Sequence, residues 1–305
     1  MATNTSTIDL SELPVPDAVV VPDSDALFAQ WLAKLKEADA IYDALVASDP
    51  AWKQGEVVTY NTVLLYQKVN DAVRAVLLAS AGGADLDQLG ANFNVKRLVI
   101  TAADPDAIPP VEAVYESDDA YRERIQLSWA RLNTAGAYNA YLFHGKSADA
   151  DVLDVEAYGP ETHGRKGEVD VYVLSRTGDG TASADLIAKV DRALNPDDIR
   201  PLTDYVQTYS ATLNAYTVEA VLEIPAGPDA STILENALNN LTEYQAGLHT
   251  IDSMVPISGI YHALHQPGVV RVILTQPTAD IPPVVGAAPY CSANNVTMRD
   301  VLDAV

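Results

Sequence analysis

The sequence predicts an α+β protein: an N-terminal helical arm joined to a mixed-sheet α+β region with helices packed on the sheet. Three observations predict it. Up to about residue 148 every strong pattern is helical, with apolar residues three or four positions apart, the spacing of a helix with one apolar face. Beyond that point the period shifts towards two: Leu153, Val155 and Ala157 alternate with Asp154, Glu156 and Tyr158, and Val169, Val171 and Val173 alternate with Asp170 and Tyr172. The later elements then read β-β-α-β-β-α-α-β, an order that layers helices on a mixed sheet.

Taken in order, residues 1–22 read as an extended tail and residues 23–98 as a helical arm. Ser24 or Asp25 caps a helix in which Leu27, Phe28, Trp31, Leu32, Leu35, Tyr42 and Leu45 recur at helical spacing. A second helix, from about Glu56 to Ser80, sets Val58, Leu65, Val69, Ala72 and Val76 on one face, widened by Leu64, Val73 and Leu77. Gly82 and Gly83 are expected to stop it, Asp85 to cap the short helix holding Leu86 and Leu89, and Phe93 to lie in the knuckle that follows. Together Gly82, Gly83, Asp85, Leu86, Leu89 and Phe93 read as a rigid bend. Two helices with such wide stripes cannot close a core alone, so they pack on the rest of this chain or on another chain.

Residues 99–117 are proline-rich, acidic and without periodicity, an extended linker. Residues 118–148 form a helical connector: Ser117 caps it, Asp118 and Asp119 favour the positive end of its dipole, Ile125, Trp129 and Leu132 line it, and Gly136 ends it. Residues 149–276 make the α+β region. Ser183 caps a helix with Leu186, Ile187, Val190 and Leu194 inward. Tyr205–Ile224 is β-rich, with a bulge or break where Leu213 falls out of phase with Tyr216, Val218, Ala220, Leu222 and Ile224. A helix from about Ser231 to Gln245, a short one opened by Pro256 in its first turn, and a strand at Val269–Leu274 follow. Residues 277–305, rich in proline and alanine, read as a C-terminal tail lying on a neighbour.

The net charge is −23, divided as −10 over residues 1–150 and −13 over 151–305. No basic face remains for phosphates, so nucleic-acid binding is disfavoured. The acidity confers solubility, or it keeps copies apart until basic partners arrive. Cys291 is the single cysteine, which rules out an intramolecular disulfide and suits a reducing compartment. The N-terminus shows no signal peptide and no apolar run reaches membrane-span length, so membrane insertion is not expected.

The run R-A-V-L-L-A-S-A-G-G-A-D-L-D-Q-L-G-A-N-F-N-V-K-R at Arg74–Arg97 resembles the baseplate J-like proteins, wedge components of contractile phage tails and related contractile injection systems. E-S-D-D-A-Y-R-E-R-I at Glu116–Ile125, H-G-K-S-A-D at His144–Asp149, V-L-S-R at Val173–Arg176, A-L-N-P-D-D-I-R-P at Ala193–Pro201 and I-Y-H-A-L-H-Q-P-G-V-V-R-V at Ile260–Val272 continue it. The blocks keep the family's order from D-L-S-E-L-P at Asp9–Pro14 to Tyr290-Cys291.

The resemblance implies a structural, non-enzymatic part of the virion, assembled in the host cytoplasm, or of a tail-derived bacteriocin. It implies an intermolecular helix bundle built by the arm, with Leu27, Trp31, Leu35, Leu65, Val69, Val73, Val76 and Leu77 as partner-binding residues. The α+β region would join copies into a ring around the tail hub, a ring that widens when the sheath contracts. The implied partners are a second copy of the chain and other wedge proteins, with hub and sheath-initiating tail proteins as further candidates.

Chemistry-bearing motifs are sparse. A-Y-L-F-H-G-K-S at Ala140–Ser147 is one residue away from a phosphate-binding loop, so the alternative function is a nucleotide-dependent assembly factor using Gly145-Lys146-Ser147. Ala140 stands where the loop needs glycine, and a strand follows where it needs a helix. His262 and His265 lie three apart on a helix without an evident third ligand, so no metal is assigned. Gly178-Asp179-Gly180 reads as a tight turn. The G-x-S-x-G elbow and the H-E-x-x-H motif are absent, so neither catalytic residues nor a cofactor are assigned.

Overall fold

The structure is a computed structural model describing residues 8–43, 45–133, 137–225, 227 and 229–300. Gly136 lies outside the described residues. The chain divides into two compact units, Met1–Arg97 with Ser117–Gln126 and Leu98–Glu116 with Leu127–Val305.

In the first unit, α1 spans Ser24–Ala38 and its N-cap is Asp23, one residue earlier than expected. The Asp23 carboxylate accepts from the N–H groups of Asp25 and Ala26. The helix ends at Ala38, so Tyr42 falls in a separate short 3-10 turn, Ala40–Tyr42. Helix α2 runs over Pro50–Ala75, with Pro50 in the first turn, where a missing N–H costs nothing. It therefore begins earlier and ends earlier than its apolar pattern suggested. Gly82 and Gly83 do not stop α2: they open α3, Gly83–Asn92. Gly82 is the N-cap, and Gly83 takes φ +52°, a value that favours glycine. Asp85 sits in the first turn of α3 instead of capping it. Leu86 is fully buried, and Leu89 and Phe93 are half-buried.

In the second unit, β1 (Val99–Thr101) pairs antiparallel with β2 (Val114–Tyr115), so the stretch expected as a linker folds back on itself. Helix α4, Asp118–Leu127, belongs to the first unit up to Gln126. It has the expected Ser117 hydroxyl accepting from Ala120 N–H. It passes into a 3-10 turn, Ser128–Leu132, where Trp129 and Leu132 are exposed instead of lining a core, while Ile125 is buried.

Next come α5 (Tyr138–Lys146), β3 (Val152–Tyr158), α6 (Pro160–His163), β4 (Glu168–Ser175), α7 (Ala184–Leu194) and β5 (Tyr205–Ser210). Strands β3, β4 and β5 form one mixed sheet, β3 antiparallel and β5 parallel to the central β4. Val155, Ala157, Val171, Val173 and Val206 turn one face onto Tyr141 of α5 and onto Leu186, Val190 and Leu194 of α7. The cap of α7 is Ser183, whose hydroxyl accepts from Leu186 N–H.

The predicted break falls at Ala211. Its N–H donates to Val173 O in the first sheet, and the next N–H, of Thr212, donates to Gly286 O beside the second. There β6 (Thr212–Glu223) is central, antiparallel to β7 (Arg271–Gln276) and parallel to β8 (Ala287–Arg299). Much of the expected C-terminal tail is thus a strand, paired with β6 from Thr212↔Ala287 to Glu223↔Arg299. Its alanines and asparagines have weak strand preference, and the ladder overrides it. Helices α8 (Ala230–Leu248) and α9 (Ile257–Leu264, with Pro256 as N-cap) cover Val218, Ala220, Leu222 and Ile224. Leu174, Ala211, Ile251 and Ala288 join the two sheets in a further buried cluster.

Candidate assembly surface

Helix α2 buries an unusual set of residues: Gly55, Thr59 and Asn70. Gly55 lets α1 approach closely, because a Cβ there would lie 2.2 Å from the Trp31 ring. Phe28 packs on Trp31 and Trp52, with ring centroids 5.8 and 4.7 Å away, and closes the α1–α2 hairpin. Asn70 is satisfied by the extended N-terminal segment: it accepts from Val19 N–H at 3.0 Å and donates to Val19 O at 2.9 Å.

The rest of the helix shows apolar residues to solvent. Val57, Tyr60 and Leu64 form one exposed stripe at helical spacing, Val58, Leu65 and Val69 form a second, and Val76 is exposed at the C-cap. No charged residue occurs from Val57 to Gln67.

The predicted partner-binding set splits on this surface. Leu65, Val69 and Val76 are exposed, whereas Leu27, Trp31, Leu35, Val73 and Leu77 are half-buried within their own chain. Val57, Tyr60 and Tyr66 are exposed apolar positions that sequence reasoning passed over, although the first two repeat with Leu64 at helical spacing.

The bend beside this arm is held by charge. Arg97 pairs with Asp87 and with Asp118, each at 2.7 Å, and its guanidinium lies 4.6 Å from the Tyr121 ring centre. Asp118 also accepts from Gly83 N–H at 3.1 Å, satisfying an orphan donor of α3 from a helix 35 residues away. Arg122 donates to Leu78 O and Ala81 O, both at 2.8 Å, and fixes the turn between α2 and α3. Burial is the largest influence on Asp118 and pushes its carboxyl up. Hydrogen bonds from Gly83 and Arg97, with the charges of Arg97 and Arg122, outweigh it and hold the group below the ordinary range.

The candidate reactive groups have structural roles. Gly145 and Lys146 end α5 and Ser147 is its C-cap, so no phosphate-binding loop forms. A Cβ on Gly145 would lie 2.9 Å from Val155, so the glycine allows helix–strand contact. Lys146 Nζ lies 3.0 Å from Asp154, and Asp154 also accepts from Ile251 N–H at 2.9 Å. Beside them, the Tyr138 hydroxyl donates to Glu156 and the Tyr158 hydroxyl to Asp252. Burial, together with the charges of Asp154 and Asp252, pushes the Glu156 carboxyl up.

His262 lines an open groove of about 470 Å³ with Glu243 and Tyr244, and His265 is the C-cap of α9. Among the described residues no three His, Cys, Asp or Glu side chains are grouped to hold a metal, and no helix is long and apolar enough to cross a membrane.

The chain thus combines a well-packed α+β region with an arm that leaves apolar side chains of α2 in solvent. The chain belongs to the baseplate J-like family: residues 47–104 match the baseplate J-like N-terminal domain and residues 133–210 the central domain. It is 40% identical to baseplate protein J of Escherichia phage P2 over 296 residues, which cover 95% of this chain and 97% of that protein.

Proposed function

We propose that this protein is a wedge component of a contractile-tail baseplate whose helical arm is completed by helices of other chains. Family membership makes it a structural component of the tail baseplate, within the virion and in contact with other baseplate components. The wedge role, the partners and the movement are the reading offered here. The observation that carries it is the inverted burial of α2, with Gly55, Thr59 and Asn70 inside and Val57, Leu64, Leu65 and Val69 outside.

A second copy of the chain and another wedge protein supply the missing faces, and the uncharged stretch from Val57 to Gln67 lets acidic copies approach. The α+β region joins copies into the ring around the hub, and the ring exchanges one set of contacts for another when the sheath contracts. Hub and sheath-initiating proteins meet the ring. The role is mechanical, not enzymatic. Lys146 engaged with Asp154 at a helix end supports that reading over nucleotide-dependent assembly.

The test is complementation of phage lacking the protein with a Leu65→Asp/Val69→Asp variant. Soluble, folded variant protein with tails that lack baseplates is the expected result. Normal baseplates carrying the variant would contradict it.

A further inference from the structure

We propose that the hairpin of residues 98–116 is a docking finger that enters an apolar pocket bordered by Lys and Arg on a different protein. At its root, Glu116 N–H donates to Leu98 O at 3.0 Å, and Leu98 N–H donates to the Glu116 carboxylate at 2.8 Å. Val99 pairs with Tyr115 and Thr101 with Val114, and Asp104 and Val111 exchange both backbone hydrogen bonds at 2.9 Å. These few rungs hold a two-stranded hairpin, a form of marginal stability when nothing covers it.

Nothing among the described residues does. Every residue from 99 to 115 is exposed except Ala107 and Ala113, which are half-buried, and Ile108 at the tip is 100% exposed. Val99, Ile100, Val111, Val114 and Tyr115 continue the exposed apolar surface along the finger.

Its chemistry selects the partner. No Lys, Arg or His occurs between Arg97 and Arg122, while Asp104, Asp106 and Glu112 stand exposed on the finger. Three carboxylates around an apolar tip complement a basic rim around an apolar pocket. They repel an anionic lipid surface, and a chain with 19 Lys and Arg against 42 Asp and Glu is a poor source of a basic-rimmed pocket, so a second copy, whatever contacts it makes elsewhere, is disfavoured as the owner of this one. Pro105, Pro109 and Pro110 remove backbone donors, so strand addition along the edge is disfavoured and side-chain docking favoured. The prolines also restrict the tip before binding, which lowers the ordering cost.

The inference rests on the baseplate reading for the particle in which the test is made. The full-length chain carries a benzophenone amino acid in place of Ile108, is assembled into tails, and is irradiated. The expected product is an adduct with a different polypeptide, at a peptide containing Lys or Arg. Adding Asp104→Asn, Asp106→Asn and Glu112→Gln lowers the adduct yield about tenfold, the combined effect of three rim charges of ordinary surface strength. Asn at 104 keeps an acceptor for Asp106 N–H, so the turn survives. An adduct within the same chain, with a second copy or with lipid overturns the proposal, as does a yield unchanged by the charge variant. Tails that contain the chain but give no adduct overturn this inference alone. Tails from which the chain is absent overturn the baseplate reading as well.

Discussion

The arm and the α+β region treat the same residue types in opposite ways. Strand β6 hides Val218, Ala220 and Leu222 beneath α8 and α9, while Thr217 and Glu219 of its other face are only half-buried. Helix α2 hides a glycine, a threonine and an asparagine and leaves valines, leucines and tyrosines in water. Beneath α8 and α9 the chain buries its apolar residues fully by itself. Under the proposed function, their exposure along α2 is what another molecule covers.

Truncation separates the two regions most sharply. Leu222→Ala, at a fully buried site, should cost about 2–5 kcal/mol in denaturant unfolding. Leu65→Ala, on the exposed stripe, should shift the free chain by no more than about 0.5 kcal/mol and act only on assembly. Equal losses at the two sites would erase the distinction.

The next effect lies within the arm. Gly55→Val drives a side chain into the Trp31 ring and should cost about 1–3 kcal/mol, with a shift in tryptophan emission as Trp31 is pushed off α2. Unchanged emission and stability would mean that α1 is not seated there.

Acid should move the two regions in opposite directions, by smaller amounts. The Asp118 carboxyl is held below its ordinary value of 3.8, so its contribution is present above that value and is lost as pH falls through the lowered one. Asp118→Asn should remove that acid-sensitive part, about 1 kcal/mol or less because the side chain is 39% exposed. The Glu156 carboxyl is raised above its ordinary 4.5, so the α+β region should gain stability as pH falls from neutral through the raised value towards 4.5. Glu156→Gln should abolish this gain. Melting curves of both variants across pH check the signs, and a shared direction would contradict the assignment.

The regions also differed in how far the sequence revealed them. Alternation in β3, β4 and β6, the Ser183 cap and the break before Leu213 are local patterns, and each appears within a residue or two of its expected place. The misplaced features depend on distant residues. Asp118 caps Gly83, Asn70 holds Val19, and β8 is a strand because β6 pairs with it. On α2 the apolar repeat gives a helix with a wide stripe and leaves open whether this chain or another covers it. It does not show which of its apolar arcs the α1 aromatics occupy, and the structure places the Trp31 ring against Gly55.

Hydrogen exchange across α2, in the free chain and in assembled tails, tests the unfinished arm most directly. The account predicts that residues 57–76 exchange much faster than the β6 ladder in the free chain and become protected to a similar degree on assembly. Protection of residues 57–76 equal to that of β6 already in the free chain, unchanged by assembly, would show that the arm belongs to a complete fold and waits for no partner.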